Sequence, residues 1–346
     1  MSRAFVSEAD SWFHCRTYGD SCAYADDAGR CAVPGCVMHE PQVDDQQRVD
    51  VTVTLVRQLI EEQLPQWRNL PVYPIEGAGN DNRTFHLGDG LVVRLPSATA
   101  YAPQPEREFT WLPVLAGHLP LPIPRPIALG QPSSIYPFHF VVSTYLPGEP
   151  ATPHNVDDKV AFARTLGRFL GELQSCDAAD GPSAGVENFF RGGPLLMYDD
   201  EARRALAGLP GNLAVDKLIS LWQQGESQQW EGPGVWLHGD VAPGNLLVQD
   251  GRLCGVIDFG LMAVGDPAAD YAIAWTFLDA PSRAALFEAV GADAQAISRG
   301  RAWALWKAAI TFRSDDPAQA RNARYVIYEV LTDLRASARS AGWFVR

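Results

Sequence analysis

The segment WLHGDVAPGNLLVQDGRLCGVIDFG, residues 236–260, gathers side chains that could do chemistry: His238, the carboxylates Asp240 and Asp258, and the amide Asn245. LLV and LCGVI are short apolar runs separated by QDGR, so the spacing predicts an antiparallel hairpin turning near Asp250-Gly251. With Val248 facing Leu253, Asn245 falls opposite Val256, and Asp258 lies two residues further on the same face. An amide oxygen and a carboxylate at one end of a hairpin are hard ligands suited to Mg²⁺, which keeps phosphate oxygens and water in its shell. Asp240 precedes them in the loop that enters the first strand. Phosphoryl transfer needs this arrangement, because the protein has mainly to position a hydroxyl, metal ions and a triphosphate. Asp240 is the candidate catalytic base, and Asn245 with Asp258 the candidate metal ligands.

HGDVAPGN fits an H-x-D-x-x-x-x-N catalytic loop, and IDFG fits a metal-binding D-F-G turn. With the following GDPAADYA, the chain resembles the aminoglycoside phosphotransferase family, which also holds choline, homoserine and macrolide kinases; the likeness runs from about Met38 to about Ala338. The resemblance implies an α+β, two-lobed protein-kinase-like fold, with a small β-rich N-lobe and a larger helical C-lobe. It also implies an ATP-dependent phosphotransferase, with GTP as the alternative nucleotide and Mg²⁺ as cofactor, acting on a small-molecule hydroxyl. An aminoglycoside suits the family, while macrolides and other small metabolites stay open. Only six residues separate Asp258 from Gly265, too few for the activation loop that docks a peptide. Taken alone, His238 reads as a hydrogen-bonded structural histidine, and Asp266 and Asp270 as caps of a helix beginning at Pro267. The resemblance implies instead that Asp270 bonds the catalytic-loop backbone and supports Asp240, with His238 beside it.

The elements that must position these groups follow from periodicity. Val51, Leu55, Val56, Leu59 and Ile60 recur at helical spacing behind Asp50, the expected N-cap. Residues 72–95 read as strands, with Gly88-Asp89-Gly90 a hairpin turn. A helix is predicted over 103–119 and a strand over FHFVVSTYL. In LVVRL, alternation sets Val92 and Arg94 on one face, so Val92 faces adenine and Arg94 stands where the family presents a lysine to the phosphates. Glu108 in the next helix is its expected partner, and backbone groups from Ser143 to Tyr145 are expected to face the adenine edge. Gly77 to Asn82 reads equally as a phosphate loop or a hairpin turn. Arginine keeps the charge but changes length and geometry, which leaves open a weak or silent nucleotide-binding module. A long amphipathic helix over 156–176 opens a helix-rich remainder, with Pro147-Gly148 as the hinge. The expected division is a Cys-containing extension over 1–37, an N-lobe over 38–146 and a C-lobe over 147–346. Asp199, Asp200 and Glu201 are either acceptor-pocket residues or helix-start charges.

Composition is consistent with this. A chain with 47% hydrophobic and 20% charged residues is globular, and its formal charge of -13 disfavours nucleic acid and anionic membranes while favouring a cationic small substrate. No apolar run reaches the roughly 18 residues of a bilayer span, and the N-terminus does not read as a secretory signal, so a cytoplasmic location is expected. Cys15, Cys22, Cys31 and Cys36 are spaced poorly for a zinc site. A hydrolase built on His238 lacks a nucleophile in the motif.

Overall fold

The computed structural model describes residues 48–75 and 82–340; the expectations for residues 1–37 and for Gly77–Asp81 lie outside the described residues. Short alternating runs build an antiparallel sheet from β1 (Val72–Pro74), β2 (Asn82–Leu87), β3 (Leu91–Pro96), β4 (Pro126–Gly130) and β5 (Phe140–Thr144), in the order β1-β2-β3-β5-β4. Phe85, Leu87, Val93, Leu95 and Val142 on one face form a core with Val56, Leu59 and Ile60 of helix α1 (Val53–Gln63). The other face, with Val92, Arg94 and Ser143, is left for the cleft. Asp50 does not cap α1. Thr52 does, its Oγ1 accepting from the Leu55 N–H at 3.2 Å, because Val51 is drawn into the core and the helix starts later.

Helix α2 (Gln104–Leu115) lies on the Arg94 side of this sheet, and the strand expected to run to Leu146 stops at Thr144. A helical part follows, made of α3 (Lys159–Ser175), α4 (Asp199–Ala207), α5 (Val215–Glu226), α6 (Ile273–Thr276), α7 (Ala280–Val290), α8 (Ala294–Thr311) and α9 (Pro317–Ser340). Asp158 caps α3 by accepting from Val160 and Ala161 N–H groups at 2.9 and 3.0 Å. The apolar stripe of α3 buries Phe162, Leu166, Phe169 and Leu170 in a core that includes Trp222, Trp236 and Trp275. α3 lies so close to α7 that a Cβ on Gly167 would stand 2.7 Å from Ala289. An antiparallel sheet followed by a mostly helical part is the α+β arrangement expected. No helix among the described residues is long and apolar enough to cross a membrane.

Two small sheets carry the motif segment. β7 (Val235–Leu237) pairs with β10 (Ala263–Gly265), and β6 (Glu149–Pro150), β8 (Leu246–Gln249) and β9 (Arg252–Val256) form the second. The β8–β9 turn is at Asp250-Gly251, with φ of 50° and 75°, the left-handed pair that a two-residue hairpin demands. The register differs from expectation. Val248 faces Leu253, but Leu247 faces Gly255 and Leu246 faces Val256, so Cys254 is an extra residue in a β-bulge. Asn245 is therefore level with Ile257, whose N–H donates to the Asn245 carbonyl at 2.9 Å, and not with Val256.

Candidate active site

β7 delivers the chain to His238, which is fully buried. The His238 ring reaches the Ile257 carbonyl through Nε2 at 3.0 Å and receives the Asp240 N–H on Nδ1 at 3.2 Å. With Nε2 donating and Nδ1 accepting, the ring ties the catalytic loop to the strand leading to Asp258. Gly239 has φ of 83°, and a Cβ there would meet the Leu261 carbonyl at 2.2 Å, so only glycine passes. Asp270 accepts the His238 and Gly239 N–H groups at 2.7 and 2.8 Å, fastening the loop from beneath. Burial pushes the Asp270 carboxyl up to about 6, against the pull of His238 and these two donors. Asp266, by contrast, caps the turn at Pro267 through the Ala268 N–H and pairs with Arg299 at 2.7 Å.

Held this way, Asp240 is exposed, and Asn245 Nδ2 donates both to its carbonyl at 2.9 Å and to its carboxylate at 3.1 Å. Asp258 adopts φ of 66°, a left-handed conformation costly for a non-glycine residue and characteristic of functional turns. Its Oδ1 is bound by Arg94 Nη2, while Arg94 Nη1 binds Glu108 Oε1. One guanidinium thus joins β3, α2 and the D-F-G turn. Burial would lower the Arg94 pKa, but the charges of Asp258 and Glu108 outweigh it and hold the group protonated. Burial pushes Glu108 up toward about 7, against the attraction of Arg94.

The nucleotide face departs from expectation at its edge. Val92 and Ser143 are register partners on the Arg94 face, and the Tyr145 ring packs on His86, 4.9 Å between centroids. The Thr144 and Tyr145 N–H groups, however, donate to the Arg125 and Gly90 carbonyls, so they are not donors for an adenine. The sheet needs them to end its own ladder. Beside the expected Glu108, the structure adds two residues that motif reading missed, Gln104 and Arg107. Gln104, Arg107 and Glu108 form a buried polar face on α2. Arg107 donates to the Gly260 carbonyl at 3.0 Å and to Glu187 at 2.9 Å, and Gln104 accepts from Asn82 at 2.7 Å. Their i, i+3, i+4 spacing was the available signal.

Asn245 and Asp258 fit a hard cation chemically. Asn245 turns its nitrogen to Asp240, and Arg94 engages one Asp258 oxygen, which leaves an amide oxygen and a carboxylate oxygen without a donor among the described residues. Among the described residues no three His, Cys, Asp or Glu side chains cluster as a metal cage. A separate cavity of about 200 Å³ lies between Gly192, Trp230 and Arg299, and none of Arg94, Asp240, Asn245 and Asp258 lines it.

Comparison with known proteins gives relatives in sequence and in fold. The chain is 30% identical over 146 residues to homoserine kinase of Granulibacter bethesdensis and 28% identical over 131 residues to the uncharacterized protein YcbJ of Bacillus subtilis. These matches take in 40% and 37% of this chain and 43% and 42% of those relatives, under half of their length. Among solved structures, the GDP complex of an aminoglycoside 2'-phosphotransferase-IIIa superposes with a TM-score of 0.63 at 19% identity, covering 82% of this chain and 99% of that one. The macrolide 2'-phosphotransferase MphH from Brachybacterium faecium superposes with a TM-score of 0.51 at 20% identity, covering 80% and 97%. The sequence model of the phosphotransferase enzyme family, APH, matches residues 74–306, and the chain belongs to that family of small-molecule kinases.

Proposed function

We propose that the protein transfers the γ-phosphoryl group of ATP or GTP to a hydroxyl of a small molecule. The observation that carries this reading is the Asp240 carboxylate, exposed to solvent and held by Asn245, in a loop whose backbone His238 and the buried Asp270 fasten and which His238 and Asn245 tie to Ile257, next to the Arg94–Asp258 pair. Asp240 would accept the acceptor's proton as the hydroxyl oxygen attacks the phosphorus. Arg94 would carry its charge to the phosphates, with Glu108 holding it in place and Val92 lying under the base. Bound at Asn245 and Asp258, Mg²⁺ would neutralise charge on the phosphates. Residues 259–262 run straight into β10, which pairs with β7, and that compact path favours a small acceptor over a peptide.

The competing reading, a nucleotide-binding module without turnover, draws on one feature: Arg94 already holds Asp258. Mg²⁺-dependent ATP turnover with aminoglycosides, macrolides, homoserine and other hydroxyl compounds separates the two. Asp240→Ala is expected to lower kcat by about 10²- to 10⁴-fold while nucleotide binding is retained. Nucleotide binding without phosphoryl transfer to any acceptor would instead favour the module.

A further inference from the structure

Beyond the motif residues, the loop Gly185–Gly193 holds an arginine in an unusual setting. The guanidinium carbon of Arg191 lies 5.9 Å from the Tyr198 ring, 5.1 Å from Trp303 and 4.8 Å from Trp306. The three rings pack on one another, with centroids 4.3 to 5.7 Å apart. Among the described residues no carboxylate pairs with Arg191, and its Nη1 is buried without a hydrogen-bond partner. Trp303 Nε1, on one of the same rings, is also buried without a partner. The nearby carboxylates are committed elsewhere. Glu201 accepts from Trp306 Nε1 at 2.5 Å, and Asp199 accepts from Trp222 Nε1 at 2.6 Å and from Arg203 at 2.7 Å. These two members of the acidic trio at the start of α4 therefore brace tryptophans.

The loop is built against the catalytic segment. Asn188 donates to the Leu261 carbonyl at 3.2 Å, the Asp266 N–H donates to the Gly192 carbonyl at 2.8 Å, and a Cβ on Gly192 would meet Leu237 at 2.6 Å. Phe189 and Phe190 both adopt φ of 52°, and Tyr198 Oη donates to the Phe189 carbonyl at 2.5 Å. Consecutive left-handed aromatic residues persist only where their surroundings hold them, as at binding sites.

Guanidinium and indole N–H groups are donors only, so two unmet buried donors in one cluster call for an acceptor. An aromatic box normally attracts a cation, but here the ring faces are already taken, by Arg191 over all three rings and by Lys307, whose Nζ lies 5.9 Å from the Trp306 ring centre. We propose that Arg191, backed by Tyr198, Trp303 and Trp306, anchors a carboxylate of the phosphoryl acceptor, so that the substrate class is small hydroxy acids and not polycations. This deepens the phosphotransferase reading and rests on it.

The test titrates the full chain with glycolate, L-serine and D-gluconate, each beside its carboxamide, and with an aminoglycoside, following tryptophan fluorescence. A fluorescent ATP analogue reports nucleotide binding in every variant as a check on folding. Carboxylates are expected to bind at least about 10-fold more tightly than their amides. Arg191→Met should abolish that preference, and Trp303→Phe, which keeps a ring and removes Nε1, should reduce it several-fold; Arg191→Lys should restore part of it if Met disturbs the loop. Amides equal to carboxylates, no response to any carboxylate, or tight aminoglycoside binding unchanged by Arg191→Met would each overturn the proposal. ATP turnover keeps the two readings apart. Carboxylate binding without transfer to any probe would sink the kinase reading alone, whereas transfer to neutral or cationic alcohols that is insensitive to Arg191→Met would sink this one alone.

Discussion

Arg94 bonds two carboxylates from different elements at once, Glu108 on α2 and Asp258 after β9. A lysine ammonium is a compact point charge, whereas the guanidinium fork has two edges to offer, which is why arginine suits this three-way junction. The Glu108 carboxyl is almost fully buried, and its pKa is raised from 4.5 to about 7 chiefly by that burial. A carboxyl whose folded pKa is raised contributes stability that is complete below its unfolded value and lost as pH rises through the folded one. The unfolding free energy of the wild type relative to Glu108→Gln should therefore fall between about pH 4.5 and pH 7. Urea denaturation of both proteins across that window checks the sign, and a difference that grows with pH would contradict it. At Asp270 the same physics sets stability against activity. Protonation toward pH 6 relieves the buried charge but weakens the acceptor for the His238 and Gly239 N–H groups, so kcat should fall on the acid side with an apparent midpoint near 6.

The β8–β9 hairpin shows how one element converts a small irregularity into site geometry. Its turn obeys the local rule, since Asp250 and Gly251 both take positive φ. Its strands do not, because Cys254 is inserted without a partner and shifts every later residue by one register position. Since strand side chains alternate, removing that residue should turn Ile257 and Asp258 to opposite faces. Deletion of Cys254 is expected to abolish phosphoryl transfer, read by phosphate incorporation, while the far-UV spectrum stays that of an α+β protein. Cys254→Ser keeps the bulge and should retain activity within about twofold, as ordinary surface substitutions do. Helix α2 teaches a related lesson: its inward face is polar at Gln104, Arg107 and Glu108, so a reading based on apolar stripes alone sees a weaker helix than the one present.

At the scale of the whole molecule, arginines from the N-terminal part fasten it to the helical part. Arg94 reaches Asp258, and Arg107 reaches the Gly260 carbonyl and Glu187, so both end in or beside the D-F-G turn. Arg107 is almost completely buried, and removing it leaves the Gly260 carbonyl short of a donor. Arg107→Met should lower stability by about 1–3 kcal/mol in thermal or urea denaturation. It should also speed proteolysis of the connecting segment around Pro147-Gly148; unchanged cleavage there would argue that the two parts are held by packing alone. The net charge of -13 acts at this scale too, through a long-range field that speaks to association and solubility, while the Arg191 box is local and of opposite sign.

Local pattern by itself determined a good deal: the α+β order of elements, the turns at Gly88-Asp89-Gly90 and Asp250-Gly251, the long amphipathic α3, and a spacing of His238, Asp240, Asn245 and Asp258 that marks a phosphotransferase. These are legible because period, turn chemistry and motif spacing are properties of neighbouring residues. Tertiary structure alone decided the rest. It chose Thr52 over Asp50 as the cap, placed the bulge at Cys254, occupied the Thr144 and Tyr145 amides, and paired Asp266 with Arg299. The physical reason is that each of these outcomes depends on which buried donor meets which acceptor across long sequence separations. Burial makes every such group find a partner, and only the folded chain shows which partner is within reach.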